Sequence, residues 1–256
     1  MKKFLHLLLP LLLLCAEASA QSIIPRWMTM PASETILIHE GFTVSYNHAT
    51  LTPNWSAWDI TPERLTTQVT GRTDFFTTDP DCPAPQAEYR DYSRNGLGLD
   101  RGHMAPSADF TWDRTANEQT FYLTNICPQD HTLNEGLWLE LEQRCRAWAK
   151  RYNTTVHVVC GPIYDSDRTY IGNENKVEVP DSFFKAVLLR QGNTSYAIAF
   201  IMPNEPLDVQ QDIFDYLVPV AAVTRQTGLI PFPGMDFKES GKGFPFDIPW
   251  KKPKKK

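Results

Sequence analysis

The chain contains no CxxC pair and no HExxH motif, and no group of carboxylates dense enough to enclose a cation unaided. Zinc ribbons, zinc fingers and helical metalloprotease sites are thereby excluded. His39-Glu40 begins an HE pair but lacks the second histidine four residues on. No internal repeat occurs, and no glycine- or serine-rich linker divides the chain. Helix-turn-helix and RRM signatures are absent too, which removes the common base-reading modules. Excess positive charge is also missing, with 25 Lys and Arg against 30 Asp and Glu and a net charge of −5. By net charge alone this is not the composition of a polyanion binder.

What is present begins with "MKKFLHLLLPLLLLCAEASA" over residues 1–20. Two lysines, a short leucine-rich run and Ala18-Ser19-Ala20 read as a secretory signal peptide. The run is too short to cross a bilayer comfortably. A secreted or periplasmic protein is therefore expected, with no stable membrane association unless Cys15 carries a lipid. Leu14, bulky where a lipoprotein signal has a small residue, opposes that alternative. Removing residues 1–20 takes away two lysines and one glutamate, leaving 23 basic and 29 acidic residues. The tail "KKPKKK" over 251–256 holds five of those lysines, so the body is more acidic still. Cys82, Cys127, Cys145 and Cys160 remain, and an even number in an exported chain favours two disulfides over free buried thiols.

Hydrophobic residues make up 42% of the chain and aromatics 12%, enough for a substantial core. Residues 21–256 are read as one domain ending in the basic tail. The segment 21–85, rich in proline, reads as loops and short strands. Val156–Tyr164 is a β-branched strand stopped by Gly161-Pro162. Phe183–Leu189 and Tyr196–Met202 flank "RQGNTS" as a hairpin. Pro219–Gly228 brackets a short helix. Asn134–Tyr152 has apolar residues at intervals of three and four, with Asn134 as its N-cap. Strands and helices without regular βαβ alternation indicate an α+β fold with a mixed, largely antiparallel sheet core.

The chemistry concentrates in "LDRGHMAPSADF", residues 99–110. His103 offers an imidazole able to take a proton at neutral pH. Arg101, two residues earlier on a strand, points to the same face and offers a planar fork of donors for a phosphate. Downstream, Asn125 and Asn134 supply neutral amide oxygens and Glu142 a carboxylate. Magnesium keeps several waters, so one amide oxygen can hold it beside a substrate phosphate.

In order along the chain stand "DRGHMAPSADF", "NICPQ" at 125–129, "LNEGLW" at 133–138 and "LELE" at 139–142. These four blocks resemble the DNA/RNA non-specific endonuclease family, of the ββα-metal (His-Me finger) superfamily. "AWDITPERL" and "GRTDFFTTDP" extend the likeness upstream.

The resemblance implies a ββα-metal finger: a strand ending at Asp100–His103, a second near Phe121–Ile126 and a helix from Asn134. It implies His103 as the general base activating water and Asn134 as ligand of a hydrated divalent ion, usually Mg2+, with Mn2+ able to substitute. It further implies Arg101 stabilising the phosphate, Asn125 orienting the base or substrate, and Glu142 near the ion's water shell. Arg72 corresponds to an upstream phosphate-facing arginine, and Asp100 reads as structural. Eight residues along a helix span about 12 Å, so Asn134 and Glu142 are not expected to bind one ion directly.

The function expected is metal-dependent, sequence-independent hydrolysis of phosphodiester bonds in DNA, RNA or both. Arg72, Arg90, Arg94, Arg101 and the ion would supply the local positive potential. An inactive nucleic-acid-binding or adhesion protein on the same scaffold, and a phosphodiesterase for small nucleotides, are the alternatives.

Overall fold

Runs of apolar and β-branched residues build one large sheet, and a small ribbon is set apart from it. The computed structural model describes residues 23–93, 96–165, 167–208 and 210–247. The expected signal peptide with Cys15, Arg94 and the lysine tail lie outside the described residues. In chain order the elements used below are β1 (Thr35–Ile38), β2 (Phe42–Asn47), β3 (Thr52–Ile60), β4 (Leu99–His103) and β5 (Ile126–Asp130). There follow α1 (His131–Leu133), α2 (Leu139–Tyr152), β6 (Val156–Ile163), β7 (Ser182–Gln191) and β8 (Thr194–Pro203). The last are β9 (Leu217–Val218), α3 (Val220–Thr227) and β10 (Lys238–Glu239).

The eight-stranded sheet runs β9-β8-β7-β6-β3-β2-β1, with β10 beside β8. Every pairing in it is antiparallel except β8 with β10. The α+β reading holds, as do the strand at 156–163, the β7–β8 hairpin and helix α3. Segment 21–85 is more ordered than its prolines suggest, because β1 to β3 belong to the main sheet. Pro53, which cannot donate to a ladder, lies opposite Tyr46 beside a register shift that tolerates it.

The pleat sends alternate residues of β7 to opposite faces. Phe183, Val187 and Leu189 pack with Trp138, Leu141, Cys145 and Trp148 of the helical segment. Phe184, Ala186 and Leu188 pack on the other side with Val220 and Val223 of α3. The result is three layers: α2, sheet, α3. Trp148 is 1% exposed, and truncating such a side chain to alanine costs about 3–5 kcal/mol.

The ribbon β4–β5 pairs Leu99 with Asp130 and His103 with Ile126, and α1 follows at once. Gly102 stands where an added Cβ would overlap the Gln129 side chain, which is why the ribbon takes glycine there. Two boundaries differ from expectation. The second finger strand is Ile126–Asp130, since Leu123–Asn125 close a 3-10 turn in which the Asn125 N–H donates to the Tyr122 carbonyl. The helix begins at His131 under an Asp130 cap that accepts from the Thr132 and Leu133 N–H groups. Asn134 is helical itself (φ −57°, ψ −51°) and is not the N-cap. The helix is broken at Gly136 (φ −108°, ψ −108°), within a π turn over Asn134–Trp138.

The expected disulfides are absent. Cys82, Cys127, Cys145 and Cys160 are all free and buried. Three of them stand on separate elements, β5, α2 and β6, where they pack as small apolar groups. Burial pushes the Cys82 thiol up to about 11 and Cys145 and Cys160 up to about 12, so these thiols stay protonated.

Candidate active site

One pocket of about 520 Å³ opens where the ribbon meets the broken helix. Arg72, Arg101, His103, Asn134, Glu135 and Glu142 all line it. The strand period of two brings Arg101 and His103 to one side, and the finger brings Asn134 and Glu142 opposite.

His103 ends β4 with 8% of its surface exposed. Its ring lies against Phe76 at 5.4 Å and Phe121 at 4.9 Å. Its Nε2 is buried without a hydrogen-bond partner. Burial first, then the Arg72 and Arg101 guanidinium groups, lowers its pKa to about 3. The imidazole is therefore neutral throughout the physiological range, and its Nε2 lone pair or N–H is left without a protein partner. Trp138 Nε1 donates to the His103 carbonyl at 3.3 Å, tying the strand end to the helix.

The Arg101 guanidinium stacks over Phe76 at 4.7 Å and Tyr89 at 5.0 Å. Arg72 lies over Phe121 at 5.3 Å and donates to Asp74 at 2.7 Å. Arg90 is engaged by Glu88 at 3.0 Å and Glu174 at 2.6 Å and, unlike Arg72, does not line this pocket.

Asn134 Nδ2 donates to Asp100 Oδ2 at 2.9 Å, and His131 Nδ1 contacts the same oxygen at 2.8 Å. An ionised carboxylate only accepts, so the Asn134 atom facing it is the amide nitrogen. Oδ1 of Asn134 is left for another partner. An amide oxygen with a nearby carboxylate is a hard oxygen donor set that fits a cation of the Mg2+ class. Asp100, His131 and Glu135 also form a group whose ligand atoms lie within 4.8 Å of one another.

Glu142 stands on the pocket side of α2 with its side chain 8% exposed. Burial pushes its carboxyl up to about 7, against the opposing pull of Lys185 and Arg146. Glu142 and Asn134 both line the pocket, with the break at Gly136 between them.

Asn125 is fully buried and lies beneath the pocket. Its Oδ1 accepts from Ser56 Oγ at 2.9 Å and the Ala105 N–H at 3.0 Å. Its Nδ2 donates to the Ala105 carbonyl at 2.9 Å and the Thr120 carbonyl at 3.0 Å. Every hydrogen-bonding position of the amide is used, and the loop leaving His103 is held by it.

Sequence reasoning gave no role to four residues here: Arg146, Asp109, Trp58 and Lys185. Arg146 Nη1 donates to Asp109 Oδ1 at 2.6 Å, and Trp58 Nε1 to Asp109 Oδ2 at 2.8 Å. The spacing of Arg146 four residues after Glu142 was a readable signal. Lys185, a charge inside the apolar run "FFKAVLL", was another.

A family model of the DNA/RNA non-specific endonuclease matches residues 22–238. The mitochondrial nuclease of Saccharomyces cerevisiae is 36% identical over 210 residues, covering 74% of this chain and 63% of its own length. Nuclease C1 of Cunninghamella echinulata is 34% identical over 218 residues, 80% of this chain and 85% of its own. Human mitochondrial endonuclease G is 30% identical over 220 residues, 80% of this chain and 72% of its own. The solved EndoG/EndoGI complex contains a similar chain, with a TM-score of 0.75 and 26% identity over 82% of this chain and 91% of that one. Relatives named as mitochondrial in yeast and human overturn the expectation of a secreted or periplasmic protein. No helix among the described residues is long and apolar enough to cross a membrane. By its matched length and its fold, this chain belongs to the DNA/RNA non-specific endonuclease family.

Proposed function

We propose that this protein is a Mg2+-dependent endonuclease that hydrolyses phosphodiester bonds of DNA, RNA or both without sequence specificity, residues 21–256 acting as one domain. The observation that carries this reading is the single pocket lined by His103, Arg101, Arg72, Asn134 and Glu142. It joins a neutral base, two cationic donors and an oxygen donor set within one cavity.

A backbone phosphate entering the pocket meets the Arg101 and Arg72 guanidinium groups, which neutralise and orient it. The phosphate charge then offsets the two cations that lower the basicity of His103. His103 accepts the proton of a water as that oxygen bonds to phosphorus, the P–O bond to one ester oxygen breaks, and the leaving oxygen takes a proton from solvent. Asn134 would hold a divalent cation through Oδ1, Asp100 fixes the orientation of that amide, and Glu142 would accept hydrogen bonds from the ion's water. The cation, when bound, supplies Lewis-acid stabilisation of the negative charge developing on the phosphate and the leaving oxygen. Asn125 and Trp138 keep the end of β4 in place.

Lack of sequence preference follows from contacts to phosphate alone, which position without specifying. The acidic body is compatible with this, since only the pocket needs positive potential and turnover does not require tight binding. The test is incubation with supercoiled plasmid and with a structured RNA, with Mg2+ and then with excess chelator. Cleavage of polymer abolished by the chelator is expected. Cleavage confined to small phosphodiesters, or binding without cleavage, contradicts the reading.

A further inference from the structure

Lys185 has no exposed surface, and its Nζ has no hydrogen-bond partner. It stands on β7 in the stripe of Phe183, Val187 and Leu189 that faces α2. Its Nζ lies 4.0 Å from the Trp138 ring, 5.7 Å from the Trp58 ring and 3.9 Å from Glu142 Oε1. Desolvating an ammonium is costly, and two aromatic faces offset only part of that cost. A methionine would fill the same space without the penalty. Among the described residues, the carboxylate within 4 Å of it is Glu142, whose side chain also lines the pocket.

We propose that Lys185 is a positioning residue for the reaction: from inside the core it supplies the cation that keeps Glu142 a carboxylate at the pocket. This rests on the reading of Glu142 given under the proposed function. Trp138 links the pair to the base, because its ring carries the Lys185 ammonium while its Nε1 donates to the His103 carbonyl. Trp58 links it to Asp109 and through Asp109 to Arg146. Glu142 is thus faced by Lys185 from β7, Arg146 from α2, Asp109 from the turn after β4 and Arg72 from the pocket wall. Lys185 is faced in addition by the protonated thiols of Cys145 and Cys160. Arg146 is already committed to Asp109, and Arg72 to Asp74. Among the described residues, Lys185 is the cation of this set whose acidic contact within 4 Å is Glu142.

The experiment is the pH dependence of plasmid cleavage at saturating Mg2+ for the wild type, Lys185→Met, Lys185→Gln and Glu142→Gln, with melting temperatures alongside. An opposite charge at this range shifts a carboxylate by about one to three pH units. Lys185→Met is expected to move the acid limb of kcat upward by about that much. That is a loss of roughly tenfold or more at pH 7, recovered near pH 9, without a lower melting temperature. Lys185→Gln gives the same displaced limb if the methionine variant does not fold. In the Glu142→Gln background, adding Lys185→Met changes nothing further. An unshifted limb, or a uniform loss at every pH with reduced melting temperature, overturns the inference while an inactive Glu142→Gln leaves the function standing. A fully active Glu142→Gln overturns the inference and the part given to Glu142, and leaves the endonuclease reading standing.

Discussion

Asp100 Oδ2 accepts the Asn134 amide nitrogen at 2.9 Å, and this turns the amide oxygen away from the carboxylate. An aspartate that reads in the sequence as structural thereby sets which atom of Asn134, the proposed metal ligand, is free. Asp100→Ala removes that constraint without touching the reacting groups. Loss of such an outer partner costs about 10–100-fold in metal affinity or activity. The Mg2+ concentration for half-maximal cleavage is expected to rise by that factor. An unchanged Mg2+ requirement would show that Asp100 does not orient the ligand.

His103 connects the site to acid stability. Its folded pKa of about 3 lies below the unfolded value near 6.5. Between these limits the unfolded state binds a proton that the native state does not, so stability falls as pH drops from about 6.5 toward 3. The slope is about 1.4 kcal/mol per pH unit. Glu142, raised to about 7, acts oppositely, adding stability that is lost as pH rises from about 4.5 to 7. The two partly cancel in the wild type. Subtracting the denaturant stability of His103→Gln from that of the wild type at each pH isolates the histidine, and a flat difference would contradict the buried neutral imidazole.

Arg146→Met tests the buried pair under the pocket. It leaves the Asp109 carboxylate, with its side chain 1% exposed, with Trp58 as its side-chain donor among the described residues. Breaking a buried pair costs about 3–5 kcal/mol. Urea unfolding should show a loss of that size, whereas a change below about 1 kcal/mol would mean that the pair contributes little.

Much of this was legible beforehand, and the exceptions have physical causes. Asp100 to His103 and Asn134 to Glu142 announced the finger because its chemistry needs those groups at fixed spacing. The hairpin β7–β8 was visible through a glycine-asparagine turn between apolar runs. The helix start was misplaced because Asp130, His131 and Thr132 are polar and lie outside the apolar stripe, although Asp130 is the capping side chain. The π turn escaped because a single glycine inside a helical pattern does not reveal a break. The cysteine count suggested disulfides because export was expected, and packing decided otherwise. Lys185 was hidden by its own neighbours, whose hydrophobicity made the whole run read as core.

Substrate capture by few cations has its own signature. Arg72 and Arg101 are the arginines lining the pocket, so the slope of log affinity against log salt for duplex DNA should lie near −2, from about −0.9 per phosphate contact. Fluorescence anisotropy of the His103→Ala protein across a salt series measures it. A slope near −6 would place most of the binding outside this pocket.

The central claim is that His103 acts as the base beside a cation held by Asn134. The most direct test is single-turnover cleavage of supercoiled plasmid by the wild type, His103→Ala and Asn134→Ala over a Mg2+ titration, with melting temperatures recorded. His103→Ala should be slower by about 10²–10⁴ at every Mg2+ concentration. Asn134→Ala should also be slower but should recover in part as Mg2+ is raised, and both should melt close to the wild type. Wild-type rates from either variant, or full activity of the wild type in excess chelator, would contradict the account.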